Sequence, residues 1–115
     1  MSARTLIVRQ LSSFFERLRG LIGRPEPRPN EAFLLAPCRQ VHTFGMRYPI
    51  DVIHVDSSRV LRVQTLRPWR VGRLVLSATA VIEMRAGEAT RLGIVAGTPL
   101  SLIGLGARVS KKVAT

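Results

Sequence analysis

The sequence predicts an α+β domain that is mainly β: an antiparallel, barrel-like curled sheet with one N-terminal helix and one short helix. Two patterns predict it. Short apolar runs recur between turns rich in Gly and Pro, as they do in β-rich domains. A single segment near the N-terminus places apolar residues at helical spacing over several turns. The 115 residues, 46% of them apolar, fit one domain. We assign it to residues 1–107, followed by a basic C-terminal tail over 108–115.

The N-terminal elements are a short strand and the longer helix. Residues 5–9 have the apolar alternation of a strand. Ser13 can cap the first turn of the helix, and Glu16, three residues later, completes a capping box. Gly23 is a typical helix stop. Residues 24–30 carry prolines at alternate positions, which favours an extended loop.

The remaining elements are short and mostly apolar. Residues 50–55 and 60–66 are joined by a turn-forming segment, Asp-Ser-Ser-Arg, and therefore predict an antiparallel hairpin. The other predicted elements are strands over 32–36 and 78–84, one or two helical turns over 86–92, and a last strand over 100–103.

The net charge is +11, and most of it comes from arginine, because the chain has only two lysines, Lys111 and Lys112. This balance favours an anionic ligand, an acidic protein or a nucleic acid as partner, or it simply keeps the protein soluble. A single cysteine excludes an internal disulfide and indicates a reducing compartment. No run has the length of a signal peptide or a membrane span, so we expect a basic, cytoplasmic protein.

The stretch from Cys38 to Asp56 collects most of the groups from which a site could be built. It contains the cysteine, both histidines and the tyrosine of the chain. At Pro49 a polar half passes into an apolar strand, and loops at the mouth of a strand often present functional groups. The candidate binding residues are His42, Thr43, Arg47, Asp51 and, further along the chain, Glu83.

Metal and nucleophile chemistry both receive weak support from this stretch. Cys38, His42 and Met46 are soft-metal ligand types spaced four apart, but Gly45 and β-branched neighbours disfavour the helix that would align them. Zinc would need four ligands. A thiolate–imidazolium pair of Cys38 and His42 is conceivable, although nothing around the cysteine matches a local signature. We therefore expect neither a metal nor a cofactor.

Two carboxylates carry competing interpretations. Asp51 starts an apolar strand, where it must be hydrogen-bonded by loop N–H groups, by Thr43 or by His42. It is either a tie between loop and strand, which we favour, or a base that His42 orients. Glu83 either pairs with an arginine such as Arg47 or is an exposed strand residue.

The segment 59–73 holds five arginines, Trp69 and no acidic residue. Arginine combined with an aromatic side chain is typical of proteins that bind single-stranded nucleic acid. The outward face of a hairpin has the same composition, so one tryptophan leaves both interpretations open.

Residues 41–56 resemble the bacterial and archaeal family known as domain of unknown function 192 (DUF192). The match continues through Pro68, through 81–87 and through 92–97, and the segment 16–22 is similar to the family's Arg-x-x-Gly-Leu element. The resemblance covers most of the chain. It implies a compact, β-rich α+β domain and supplies no activity, because the family is uncharacterised.

The resemblance also indicates which residues to compare. Members retain counterparts of five residues: Pro49, Asp51, Asp56, Glu83 and Gly87. Many members carry Trp-Met-Lys-Asn-Thr in place of residues 42–46 of this chain. This departure argues against a family-wide role for His42, Met46 or Cys38, and shifts the emphasis to Asp51 and Glu83.

We expect a small non-catalytic binding or accessory module with a polar site at the 42–51 loop. The first alternative is a small enzyme that uses Asp51, His42 and Glu83 as acid and base groups, which would require all three within hydrogen-bond reach of one pocket. The second alternative is binding of a nucleic acid or another anionic partner through surface arginines.

Overall fold

A five-stranded mixed sheet forms the centre of the structure. The computed structural model describes residues 7–11 and 20–103. The strands are β1 (Ile7–Leu11), β2 (Glu31–Leu35), β3 (Ile50–Val55), β4 (Val60–Leu66) and β5 (Ala80–Arg85). Their order in the sheet is β1-β2-β5-β3-β4, so β5 lies between β2 and β3.

The sheet is open and contains one parallel pair. β1 runs parallel to β2, whereas the pairs β2–β5, β5–β3 and β3–β4 are antiparallel. The β3–β4 pairing confirms the predicted hairpin, and Asp56 Oδ1 holds its turn by accepting the backbone N–H groups of Ser58 at 2.8 Å and Arg59 at 2.9 Å. β1 and β4 are the two edges. The expectation of an antiparallel, barrel-like sheet is therefore corrected to an open mixed sheet.

Apolar side chains cover both faces of the sheet. We call the first the helix face, on which Leu34, Ile53 and Ile82 pack with Ala89 and Leu92. The second is the loop face, where apolar side chains from several strands pack against residues of the preceding loops: Phe33, Leu35, Ile50, Val52 and Val81 against Leu21, Val41 and Met46. Because both faces are covered, β3 and β5 are almost continuously buried and do not alternate.

The connections after β5 are helical. The helical turns predicted over 86–92 appear as α1 (Glu88–Arg91). The strand predicted over 100–103 is wrong, because Leu100–Ile103 is a 3₁₀ helix. Leu100 N donates to Ser58 O at 2.9 Å, and Leu102 N then donates back to Pro99 O at 3.1 Å, which closes a turn.

Several predictions fall partly or wholly outside the described ranges. Most of the N-terminal helix predicted from Ser13 to Gly23 lies there, and so does the tail over 108–115. The domain boundary at residue 107 stays a prediction. Within residues 7–11 and 20–103, no helix combines the length and the apolar character needed to cross a membrane.

Candidate functional site

Thr43 joins the loop before β3 to the loop after β4. The residue is fully buried. Its N–H donates to Arg70 O at 2.8 Å, and its hydroxyl donates to Arg67 O at 2.6 Å and accepts from Arg70 N at 2.9 Å. Its carbonyl accepts from Trp69 N at 3.0 Å and from Met46 N at 3.1 Å. Thr43 was predicted as a binding residue. Its polar atoms instead form hydrogen bonds that connect the two loops.

Three aromatic side chains lie close together at the surface of this junction: His42, Phe44 and Trp69. We call them the aromatic cluster. The ring centroids of His42 and Phe44 are 5.0 Å apart, and those of Phe44 and Trp69 are 6.1 Å apart, each pair tilted by 31°. These separations are in the usual range for aromatic pairs. Phe44 remains 43% exposed and Trp69 63% exposed. The buried Thr43 between His42 and Phe44 in sequence anchors the cluster.

Trp69 has an unusual backbone. Its φ is 64°, in the left-handed region, which side chains other than glycine enter at a cost of roughly 1–3 kcal/mol. Asn30, with a φ of 66°, is of a residue type that tolerates this conformation. The hydrogen bond from Trp69 N to Thr43 O holds the strained turn. A large ring is thus kept in solvent by a conformation that lowers stability.

The loop that carries Trp69 is strongly basic. Arg67, Arg70 and Arg73 are exposed. Arg70 Nη1 donates to the backbone oxygen of Trp69 at 3.3 Å, which holds this guanidinium beside the aromatic cluster. The segments 32–50 and 57–82 contain no Asp or Glu. The two loops that build the cluster therefore carry charge of one sign.

Asp51 lies on the helix face and caps α1 from a neighbouring strand. Its carboxylate is 2% exposed. Oδ1 accepts from Thr65 Oγ1 at 2.7 Å, and Oδ2 accepts from Gly87 N at 3.0 Å and Ala89 N at 2.9 Å. Gly87 stands at the N-cap position of α1 and has no side chain that could cap the helix. Asp51 therefore supplies the acceptor for N–H groups at the start of α1. Asp51 therefore joins β3 to β4 and to α1, whereas we expected a tie between the preceding loop and the strand with Thr43, His42 or loop N–H groups as donors.

Glu83 lies on the opposite, loop face. It is 3% exposed, and its neighbours in the register are Phe33 of β2 and Val52 of β3. Oε1 has no hydrogen-bond partner among the described residues. Burial raises the pKa of the Glu83 carboxyl to about 7. The expectation of an exposed side chain is therefore wrong, and in the described part of the chain no ion pair joins Glu83 to Arg47.

The predicted acid–base groups are not brought together. Asp51 and Glu83 lie on opposite faces of the sheet, with the strands between them. His42 is at the surface, where its Nδ1 accepts from Phe44 N at 3.2 Å. Among residues 7–11 and 20–103, no three His, Cys, Asp or Glu side chains converge as metal ligands would, and Cys38 Sγ donates to Gln40 O at 3.4 Å.

Arg47 lines a groove whose wall also contains Gly45, the residue that follows Phe44 in the chain. The groove has a volume of about 600 Å³, and its polar walls are Arg24, Glu26, Arg47 and Tyr48. The Tyr48 hydroxyl donates to Arg24 O at 3.0 Å. Burial, and then the charge of Glu83 nearby, raise the pKa of Tyr48. Of the five residues predicted for binding, only His42 belongs to the exposed aromatic cluster, Thr43 supports it, and Arg47 borders the neighbouring groove.

Phe44 was not among the predicted site residues. Its local signal is weak: an aromatic residue two positions after His42, with a β-branched residue between them. Its contact with Trp69 joins segments far apart in the chain and leaves no pattern in either of them.

Sequence comparisons place the chain among uncharacterised proteins. The profile of DUF192, described as an uncharacterized ACR, matches residues 2–102. A UPF0127 protein of Thermococcus sibiricus is 35% identical over 85 residues, which cover 70% of this chain and 55% of that protein. A UPF0127 protein of Pyrococcus horikoshii is 39% identical over 82 residues, which cover 66% and 70%. The chain thus spans only about half the length of the Thermococcus relative.

Two crystal structures share the fold. A proposed transcription regulator from Sinorhizobium meliloti 1021 aligns with a TM-score of 0.69 and 20% identity, over 80% of this chain and 78% of its own. A protein of unknown function from Novosphingobium aromaticivorans aligns with a TM-score of 0.67 and 23% identity, over 80% and 69%. At these identities the likeness concerns architecture alone.

Proposed function

This chain belongs to the DUF192 family, whose function is unknown, and from that premise we propose that it is a small non-catalytic binding module. Its ligand contacts the aromatic cluster, His42, Phe44 and Trp69, and the arginines of the 67–73 loop. The single observation that carries this proposal is the exposed indole of Trp69 on a left-handed backbone.

Stability does not account for Trp69. Burial of apolar surface is what a large ring contributes to a core, and this ring is mostly outside it. Its backbone conformation costs free energy that a glycine would not. Strained, exposed aromatic residues of this kind are typical of ligand-contacting surfaces.

The separation of the ionisable groups supports a role without catalysis. A general base must lie within hydrogen-bond reach of its proton, and an acid–base pair must share one pocket. Asp51 and Glu83 are divided by the sheet, and the Asp51 carboxylate already accepts hydrogen bonds from Thr65, Gly87 and Ala89. We place the module in the cytoplasm, because one cysteine suits a reducing compartment.

Trp69→Gly tests whether the cluster is built for binding or for stability. We expect the free energy of unfolding to be unchanged or raised by up to about 1 kcal/mol, because relief of the strained φ offsets the lost contact with Phe44. Thr43→Ala, which removes the supporting hydroxyl, should lose about 2 kcal/mol. Thermal unfolding measures both, since 1 kcal/mol shifts the midpoint by roughly 4–8 °C in a small domain.

Asn30→Gly is the matched control, because Asn30 has nearly the same φ but its side chain accepts from Arg91 Nη2 at 2.6 Å. We expect this variant to gain nothing, since it loses an internal hydrogen bond. A loss of more than about 1 kcal/mol for Trp69→Gly would mean that the cluster is part of the structural framework, and the proposed function would be abandoned.

A further inference from the structure

We propose that the ligand is single-stranded nucleic acid, with the aromatic cluster stacking on bases and the arginines of the 67–73 loop contacting phosphates. This inference rests on the proposed function and gives it a ligand class. The rings and the charges support it independently.

The rings offer flat, accessible surfaces. Phe44 is in contact with both His42 and Trp69, so the three rings are grouped on one part of the surface. Trp69 is the most exposed of them, at 63%. Nucleobases stack on such rings whatever their sequence, because every base has a π face. The fixed loops beneath the rings lower the entropic cost of binding.

The charges match a phosphate backbone. Arg67, Arg70 and Arg73 lie on the same loop as the indole, and Arg70 Nη1 donates to the backbone oxygen of Trp69 at 3.3 Å. Neither loop contains an acidic residue. The described carboxylates all lie outside these two loops: Asp51 and Glu83 are buried, Glu88 pairs with Arg91 at 2.6 Å, Glu26 lies 3.7 Å from Arg85, and Glu31 and Asp56 accept from backbone N–H groups of their own turns. A strand of phosphates therefore meets no carboxylate belonging to these two loops.

A nucleic acid accounts for more of this surface than an acidic protein does. The carboxylates of an acidic peptide would pair with the arginines, but the flat rings would have no specific partner. A single strand carries both bases, which stack on the rings, and phosphates, which pair with the arginines. Nucleic acid is therefore the occupant we infer, and an acidic polypeptide is an outcome of the test.

Trp69 is the one tryptophan of the chain, so its fluorescence reports directly on the cluster. The experiment titrates the full chain with oligo(U) and oligo(dT) of about 12 nucleotides, within the usual site sizes. We expect quenching of Trp69 and an affinity that falls with salt, by about 0.7 in log–log slope for each phosphate contacted. Phe44→Ala should weaken binding roughly five- to hundredfold, the usual effect of losing one stacking ring.

Matched variants separate the surface from the overall charge. Arg70→Gln should weaken binding and lower the salt slope by about 0.7, whereas Arg28→Gln, with the same loss of charge on another loop, should change neither as strongly. Val95→Ala, at an exposed apolar residue outside both loops, should leave affinity unchanged. Heparin, a polyanion without bases, should leave Trp69 fluorescence unchanged.

Three results would overturn the inference. Oligonucleotide binding without quenching, or binding that Phe44→Ala does not weaken, would mean attraction by net charge alone. Quenching by poly(glutamate) but not by oligonucleotides would mean a protein partner. None of these results would contradict the proposed binding surface, because that proposal is tested separately by the stability of Trp69→Gly.

Discussion

Asp51 and Glu83 stand on adjacent central strands and are buried almost equally, at 2% and 3% exposure, yet they are held in opposite ways. Asp51, on the helix face, accepts three hydrogen bonds. Glu83, on the loop face, leaves Oε1 without a partner among the described residues, and burial raises its pKa to about 7. The degree of burial therefore does not determine the role of a carboxylate. Its role depends on the hydrogen-bond donors around it.

The two carboxylates therefore affect the stability of the fold in opposite directions. The donors around Asp51 connect β3, β4 and α1, so this carboxylate contributes to stability through its partners. The desolvation of Glu83 is not offset by any described hydrogen bond, so its charged form costs free energy. Three variants test this contrast.

Asp51→Ala should have the largest effect, a loss of about 3–5 kcal/mol, because it leaves Thr65 Oγ1 and the N–H groups of Gly87 and Ala89 without their acceptor. Urea unfolding followed by circular dichroism at pH 7 measures it. Asp56→Ala is the control, since Asp56 holds only an exposed turn and should lose about 1 kcal/mol. Equal losses for the two variants would contradict the capping role of Asp51.

Glu83→Gln should raise the stability at pH 8 by about 1–3 kcal/mol and change it little near pH 4. The folded-state pKa of about 7 is above the ordinary value of 4.5, so the stability contributed by the protonated carboxyl is complete below pH 4.5 and is lost as the pH rises through 7. Unfolding free energies of both proteins across this range measure it. Parallel pH curves for the variant and the wild type would show that Glu83 does not titrate as the buried geometry requires.

Thr65→Val should have the smallest effect, a loss of about 1 kcal/mol, because Asp51 keeps its two backbone donors and valine suits a strand as well as threonine does. A double-mutant cycle with Asp51→Ala sharpens the test. In the Asp51→Ala background the valine should cost almost nothing. A cost unaffected by the background would place the role of Thr65 outside this hydrogen bond.

Local patterns predicted the hairpin well. β3 and β4 have the bounds expected from two short, mostly apolar segments and the Asp-Ser-Ser-Arg turn between them, because both signals lie within the strands and their connection. The parallel pairing of β1 with β2 depends on contacts between distant segments, which a local pattern does not encode. The strand expected over 100–103 failed because Leu102 N bonds back to Pro99 O.

The site was predicted in part, for the same reason. The position of Asp51 in an apolar strand predicted that its carboxylate is hydrogen-bonded, but it did not predict the donors at Gly87 and Ala89, which are far along the chain. The 42–51 loop stays a prediction made from its polar groups, whereas the ring contact between Phe44 and Trp69 arises only when two loops meet.

The cap that Asp51 places on α1 has a consequence for how the chain folds. A helix of four residues is too short to persist alone, since nucleation is unfavourable and few hydrogen bonds follow it. Its first N–H groups find their acceptor only after β3 is in the sheet beside β5. We therefore expect the segment around α1 to have no melting transition of its own and to open to solvent exchange together with the central strands.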